Sequence, residues 1–413
     1  MKKIAIIGAG AAGLMASIVA SKKGLKVHLF EHSDRVGKKI LASGNGRCNI
    51  SNKNLHVNDF AGEDPSFVNN SLKNFDFKMF EKFFFTLGLL LDIKDDGRAY
   101  PRSNESKAVT TVLKNSALKS GVTFFTDSYI QKVIKTDDTF NLYTREDNTQ
   151  QYNGYAAVII ATGSEAAPQL GANGSGYNIA HSFGHTIIPT YPSLVQLHLD
   201  SNFHHKMAGV KQNAHVTLYI NNKKADETEG DTLFTKYGIS GFAILDISHK
   251  ASHALLQYNS VTIGIDLFSD IERQKLIATI NSICTSLKNY TILEVLTTLV
   301  PSKMAPHILK SSKIEENTDV SSLTPKQIKQ VVNVLKNWRF DVIDTHGFKH
   351  AEVSGGGVST SDVNSKTMES NKTSGLYFAG EVLDIVGRRG GYNLHFAWAS
   401  GHIAATAIIK EHL

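Results

Sequence analysis

The chain has 413 residues, 41% of them hydrophobic and 20% charged, the balance of a folded globular protein with room for roughly two or three domains. Two cysteines, Cys48 and Cys284, exclude a disulfide scaffold and a metal site built from cysteine. The formal net charge of +6 is a modest basic excess, compatible with ordinary solubility and also with a polyanionic partner such as RNA.

The first elements predicted are a strand, a turn, a helix and a second strand between Lys3 and Glu31. The apolar run Ile4 to Ile7 meets Gly8-Ala9-Gly10-Ala11-Ala12-Gly13, an alanine-rich segment follows, and Val27 to Phe30 closes on Glu31. Each part suits a dinucleotide site. Gly8 permits the tight turn, Gly10 lets a pyrophosphate approach the backbone, and Gly13 lets the helix lie against the strand. The helix N-terminus, starting at Ala11 and Ala12, offers unpaired N–H groups to phosphate. A carboxylate at Glu31 can accept hydrogen bonds from ribose hydroxyls and disfavours a 2′-phosphate. Lys2 and Lys3 ahead of apolar residues also fit a secretory signal, but glycines spaced for a turn and a continuing strand pattern argue against one. The run is too short and too glycine-rich to span a bilayer, so a cytoplasmic protein with no membrane segment is expected.

A loop rich in glycine and basic residues covers Arg35 to Asn52. Phe80, Phe83, Phe84 and Leu87 follow at i, i+3, i+4 and i+7, one face of a helix, and read as core. Val109, Val112, Leu113 and Ala117 mark another helix, and Val122 to Tyr143 reads as strands with a hairpin. Ala156 to Ala161 is a buried strand ended by Thr162-Gly163. From Tyr191 to Asp266, short alternating runs such as Val216 to Ile220 and Val261 to Ile265 predict a small antiparallel barrel or sandwich. Residues 267 to 338 read as helical, most clearly where Thr324 caps a helix, Pro325 takes its first position and Ile328, Val331, Val332, Leu335 and Trp338 form its stripe. A strand Leu376 to Ala379, Gly380-Glu381, a glycine loop and a terminal helix return to the style of the N-terminus.

Two loops carry the density of chemistry. Gly37 to Asn49 holds Lys39, Ser43, Gly44, Asn45, Gly46, Arg47 and Cys48, a flexible backbone with donors that suits wrapping a pyrophosphate and approaching a flat ring. Gly380-Glu381 and Gly387-Arg388-Arg389-Gly390-Gly391-Tyr392-Asn393 offer an acid for a ribityl chain and a helix N-terminus for the electron-rich edge of a reduced flavin. Together with the N-terminal unit they point to FAD rather than NAD, because a plain NAD site needs no C-terminal return. Gly171 to Gly176 opens a helix but lacks an acid-tipped strand, so no separate NAD(P)H domain is expected and NAD(P)H would dock transiently as electron donor.

The chain resembles the BaiN/YhiN-like family of FAD-dependent oxidoreductases, some of whose members are labelled aminoacetone oxidases. The resemblance rests on GAGAAGL, SGNGRCNISN (Ser43 to Asn52), GRAYPRS (Gly97 to Ser103), ATGS (Ala161 to Ser164), LFTKYGISG (Leu233 to Gly241), VSGGGV (Val353 to Val358) and LYFAGEVLDIVGRRGGYNLHFAWASG (Leu376 to Gly401). It implies an α/β fold: a Rossmann-like FAD-binding domain, split between N- and C-terminal parts, with an inserted antiparallel β domain and a small helical domain. The expected layout is 1–188 and 355–413 for the FAD-binding domain, 189–266 for the β domain, 267–338 for the helices and 339–354 for a return segment of the β domain. The resemblance implies FAD held by Gly8, Gly10, Gly13, Glu31, Lys39, Ser43, Gly44, Gly163, Glu381, Gly391 and Asn393, with Ala11, Ala12, Asn45, Gly46, Arg47, Ala161, Thr162, Gly380, Gly390 and Tyr392 as neighbouring contacts. It also implies reductive chemistry: a ribosomal RNA uridine reduced to dihydrouridine, or a carbon–carbon double bond of a steroid-like substrate. The chain departs from the family in carrying Lys236 where His is usual, Phe242 where Pro is usual, and paired Arg388 and Arg389.

Reducing a uracil double bond needs an acid to protonate the carbon that does not take the hydride. Cys48 is a candidate, on the expectation that Arg47 lowers its pKa, and Tyr100, Tyr392 and Lys236 are the others. Three functions compete. The preferred one is an NAD(P)H-driven reductase of uridine in large-subunit ribosomal RNA, with Lys206, Lys211, Lys223, Lys224, Lys303, Lys310 and Lys313 available to phosphates. The others are a small-molecule flavoenzyme, either amine oxidase or enone reductase, and a non-catalytic flavin-binding protein. No metal is expected.

Overall fold

The computed structural model describes residues 2–145 and 151–412. The chain divides into two compact units, Met1–Thr190 with Glu352–Leu413, and Tyr191–Ala351.

In the first unit a parallel sheet runs in the order Leu376–Phe378, Ala157–Ile160, Lys3–Ile7, Lys26–Phe30, Thr123–Phe125. Ile4, Ala5, Ile6 and all of Ala157–Ile160 are buried, as strands covered on both faces require. The chain adds strands on one side of Lys3–Ile7 and then crosses to the other with Ala157–Ile160, and such a reversal opens a crevice beyond the carboxyl ends of the strands. Register sets Ile7 beside both Phe30 and Ile160, and Ile160 beside Phe378. Gly8, Glu31, Ala161 and Ala379 therefore leave the sheet side by side.

The helix Ala11–Lys22 and the terminal helix Tyr392–His412 pack backbone to backbone. A Cβ on Gly401 would stand 2.4 Å from the carbonyl oxygen of Ala12, so this close approach demands glycine. The contact fixes the C-terminal segment on the nucleotide-binding half. The aromatic stripe lies on Phe77–Thr86, where Asp76 accepts a 2.8 Å hydrogen bond from the Met79 N–H as N-cap. Phe80 and Phe84 are fully buried, so the stripe is core packing. The strand Thr123–Phe125 joins the parallel sheet, while Ile130–Thr136, Thr139–Thr144 and Gln151–Tyr155 form a separate antiparallel sheet.

In the second unit Leu197–Asp200, Gly238–Ser240, Lys223–Phe234, Lys211–Ile220, Val261–Asp266 and Trp338–Thr345 close into a barrel. Alternation along Lys211–Ile220 buries Ala214, Val216 and Leu218. The helices Arg273–Ser286, Ile292–Thr297, Ala305–Ser312 and Pro325–Lys336 share that barrel's hydrophobic core, Ile328, Val331, Val332 and Leu335 lying in one cluster with Val216 and Ile263. Barrel and helices thus form one unit with one core. Thr324 and Gln327 make a capping box at the start of the last helix. That helix ends at Lys336, because Asn337 adopts φ −165°, and Trp338 opens the strand Trp338–Thr345 rather than extending the helical stripe. Among the described residues no helix is long and apolar enough to cross a membrane.

Candidate active site

The three glycines of the first turn have different jobs. Gly8 has φ +102°, and a Cβ there would stand 2.3 Å from the Ala161 carbonyl oxygen, so the turn and the neighbouring strand end both require glycine. A Cβ on Gly13 would stand 1.9 Å from the carbonyl oxygen of Gly8, which fixes the helix against the strand. Nothing lies within 4 Å of a Cβ built on Gly10. The chain's own packing does not explain Gly10, and the open space in front of it suits a pyrophosphate at the N-terminus of Ala11–Lys22. Gly163, with φ +76°, faces similar open space.

Glu31 sits at the end of the second strand with both oxygens engaged. Oε2 accepts a 2.9 Å hydrogen bond from the Ala9 N–H and Oε1 one of 2.9 Å from the Ser33 N–H, with His32 Nδ1 at 3.1 Å. Burial alone would raise its pKa, but hydrogen bonds from His32, Ser33 and Ala9 outweigh burial and hold the carboxyl below the usual range. Oε2, with one donor, retains a lone pair for a ribose hydroxyl.

At the other end of the cradle Glu381 is fixed from three sides. Lys39 Nζ donates to Oε2 at 2.7 Å, and Oε1 accepts from Ser164 Oγ at 2.8 Å and from the Ser354 N–H at 2.9 Å. Asp384 joins the same segment, accepting from the Gly356 N–H at 3.0 Å and the Glu63 N–H at 2.8 Å. Ser164 and Asp384 lie inside quoted motifs, yet their roles were not legible there, because their partners are distant in sequence.

The loop after Gly37 meets the C-terminal glycine loop. Asn52 Nδ2 donates to the Gly390 carbonyl at 3.0 Å, and a Cβ on Gly391 would stand 2.4 Å from the Ser51 carbonyl oxygen and 2.9 Å from Asn49 Oδ1. Gly44 and Asn45 take left-handed backbone, with φ of 57° and 53°. Gly44 through Arg47 are exposed. Asn49 Oδ1 and Thr162 Oγ1 are buried without a hydrogen-bond partner in the protein. Open space before Gly10 and these orphaned acceptors fit FAD spanning the crevice between the Glu31 and Glu381 ends.

One expectation changes. Cys48 is fully buried, and burial pushes its thiol up to about 11 against a weaker opposing hydrogen bond with Ser43. The expected lowering by Arg47 does not occur, because Arg47 points outward and its guanidinium stands 5.9 Å from the centre of the Tyr100 ring. The side-chain amide of Asn393 closes its own loop, Oδ1 accepting from the Gly387 N–H and Nδ2 donating to the Gly387 carbonyl, both at 2.7 Å. Arg388 pairs with Asp59 at 3.0 Å.

Tyr100 and Tyr392 lie in the first unit with the cradle, Tyr392 packing edge-on against Phe60 at 6.0 Å. Lys236 belongs to the second unit, exposed on the turn between Lys223–Phe234 and Gly238–Ser240. The sequence reading missed His395. It is fully buried, its Nε2 donates to the Phe75 carbonyl at 2.9 Å, and its Nδ1 accepts from Ser51 Oγ at 2.8 Å. It ties the terminal helix to the strand Ser51–Asn52 that follows the Ser43 loop. Among the described residues no group of three or more His, Cys, Asp or Glu side chains could hold a metal ion.

Comparison with known proteins agrees with this geometry. The family model described as HI0933-like protein Rossmann domain matches residues 2–407. A Clostridium scindens protein named 3-dehydro-bile acid delta(4,6)-reductase is 35% identical over 413 residues, spanning 100% of both chains. A Haemophilus influenzae protein named ribosomal RNA dihydrouridine synthase is 30% identical over 410 residues, spanning 98% of each. The solved structure of 3-ketosteroid delta1-dehydrogenase from Sterolibacterium denitrificans shares the fold, with a TM-score of 0.53 at 12% identity over 100% of each chain.

Proposed function

The chain belongs to the HI0933-like family and is an FAD-dependent oxidoreductase, and from that premise we propose that it reduces a carbon–carbon double bond conjugated to a carbonyl, with uridine in large-subunit ribosomal RNA as preferred substrate and NAD(P)H as electron source. The two relatives' names describe one chemistry in two molecules: a 3-oxo steroid with double bonds at 4 and 6, and a uracil ring. Both acceptors take a hydride at the carbon remote from the carbonyl and a proton at the carbon next to it. Bound FAD, once reduced, supplies the hydride. In this reading Gly8 to Gly13 and Glu31 hold its adenosine diphosphate end, and Ser43 to Arg47, Ala161 to Gly163, Glu381 and Gly391 hold the flavin end. Tyr100 and Tyr392 are the proposed proton donors.

The observation that favours RNA lies in the second unit. His307 is lowered in pKa by burial and then by the nearby Lys206 and Lys310, opposed in part by Glu316, with a smaller lowering from His205. Its ring stacks on Phe203 at 5.1 Å and 8°. Lys211 and Lys224 are neutralised by Asp231 and Glu227, each at 2.7 Å, and Lys303 donates to the Ala208 carbonyl. Lys206 and Lys310 have no ion pair among the described residues. Cations clustered about stacked rings are what a single RNA strand needs. A ribosomal substrate also places the enzyme in the cytoplasm.

The second reading, reduction of a small steroid-type enone, is favoured by the 35% identity to the Clostridium scindens protein. A strain lacking this protein separates the two, with its ribosomal RNA digested and dihydrouridine measured by mass spectrometry. Loss of one dihydrouridine from the large-subunit RNA is expected. An unchanged dihydrouridine content, with a 3-oxo steroid reoxidising the NADPH-reduced protein in vitro, would overturn the RNA reading and leave the second.

A further inference from the structure

One buried donor in the first unit has no use within the protein. The helix Ser175–Ser182 begins after Gly174, which holds φ +64°. A Cβ on Gly176 would stand 2.1 Å from Thr162 Oγ1 and 3.1 Å from Val382 Cγ2, so the start of this helix is pressed between the end of the strand Ala157–Ile160 and the segment that follows Glu381. Tyr177 comes next. Its ring flanks both Gly174 and Gly357, a Cβ at those positions lying 3.0 and 3.4 Å from ring carbons. Tyr177 is 7% exposed, and its hydroxyl is buried without a hydrogen-bond partner in the protein.

The surrounding carboxylates are already committed elsewhere. Glu381, Glu165 and Asp384 all lie near enough to act on the phenol electrostatically. Glu381 takes Lys39, Ser164 and the Ser354 N–H; Glu165 Oε2 takes Thr190 Oγ1 at 2.6 Å; Asp384 takes the Gly356 and Glu63 N–H groups. Burial, then these three charges, push the phenol well above its ordinary value, so it stays protonated and remains a donor. A buried hydroxyl left unpaired costs stability, and native proteins retain such groups where a ligand completes them. Glu381, at the flavin end of the cradle, is its neighbour.

We propose that Tyr177 is a cofactor-binding residue whose hydroxyl forms its hydrogen bond only when FAD is bound. This inference concerns the cofactor and is independent of the substrate. It carries a signature that a packing role lacks, because removing the oxygen relieves an unpaired group in the apoprotein and removes a bond in the holoprotein.

The test is Tyr177→Phe in the full chain, stripped of flavin and titrated with FAD and, separately, with ADP. An FAD Kd about tenfold weaker is expected, with ADP affinity within about twofold of wild type and an apoprotein Tm equal to or above it. An unchanged FAD Kd overturns the proposal, and so does a parallel loss of FAD and ADP affinity with a lowered apoprotein Tm, which marks a structural role. If the variant does not fold, 3-fluorotyrosine placed at position 177 of the otherwise unaltered protein gives the answer by 19F NMR. Its resonance should shift on adding FAD and stay in place on adding ADP, and no shift with FAD overturns the assignment.

Discussion

Lys39 Nζ lies 2.7 Å from Glu381 Oε2, an ion pair between residues separated by 342 positions. Both side chains are mostly shielded, with exposures of 31% and 18%. The pair joins the helix Lys38–Ala42 to the segment that follows the strand Leu376–Phe378. Lys39→Met leaves a shielded carboxylate without its cation and should cost about 1–2 kcal/mol. In the double variant with Glu381→Gln no charge is stranded, so much of that loss should return. Thermal denaturation of the two apoproteins checks this, and a double variant no more stable than the single one would show that the pair adds nothing.

Gly10 and Gly13 should respond oppositely to a methyl group. Gly10 has φ −81° and open space around it, so Gly10→Ala should fold with wild-type apoprotein stability and lose FAD affinity by about tenfold or more. Gly13→Ala forces a methyl onto the backbone oxygen of Gly8 and should cost about 1–3 kcal/mol before any ligand is considered. Apoprotein melting and FAD titration of both variants read the two effects separately. Equal FAD affinity for Gly10→Ala and wild type would remove the pyrophosphate from this turn.

The contrast also explains how much of the site was legible from residues alone. The steric demands on Gly8 and Gly13 arise from a local strand, turn and helix, so their spacing revealed them. Glu31 followed from its place at a strand end. The return of Gly380-Glu381 and Gly390-Gly391 was visible because glycines with an acid repeat the logic of the N-terminus. Partner choice was not visible. Nothing near Glu381 in sequence names Lys39 or Ser164, and Asn393 looks available until the loop from Gly387 closes on it. Cys48 misled through adjacency: Arg47 precedes it in sequence but faces solvent, while the thiol turns into the core. Trp338 kept the helical period by coincidence, being buried as the first residue of a barrel strand.

His395 gives the protein a pH dependence with a definite sign. Burial lowers its pKa from 6.5 to about 4, only partly opposed by the Phe75 carbonyl and by Asp76. A folded-state pKa below the unfolded one means that between these values the unfolded chain binds more protons. Stability therefore falls as pH drops from 6.5 toward 4, by about 2 kcal/mol on reaching about pH 5. Denaturant titrations of the apoprotein at both pH values should show this loss in wild type and a flatter profile in His395→Asn. An identical slope in the variant would assign the dependence to other groups.

Lys206 and Lys310 offer the sharpest separation of the two substrate readings, because both lie near His307 and neither has an ion pair among the described residues. If they meet phosphates, each also releases condensed counterions, and affinity depends on salt through that release. The double charge reversal Lys206→Glu with Lys310→Glu should weaken binding of a large-subunit ribosomal RNA fragment by tenfold or more at about 0.1 M salt. It should also reduce the slope of log affinity against log salt by about 2, one unit per contact. Fluorescence anisotropy across a salt series measures both. Reduction of a small 3-oxo enone, which carries no phosphate, should remain within about twofold of wild type and so reports that the variant is folded. An RNA affinity and salt slope equal to wild type would remove RNA from this surface. A loss of enone reduction in parallel with RNA binding would mean that the substitutions damage the unit rather than a phosphate contact.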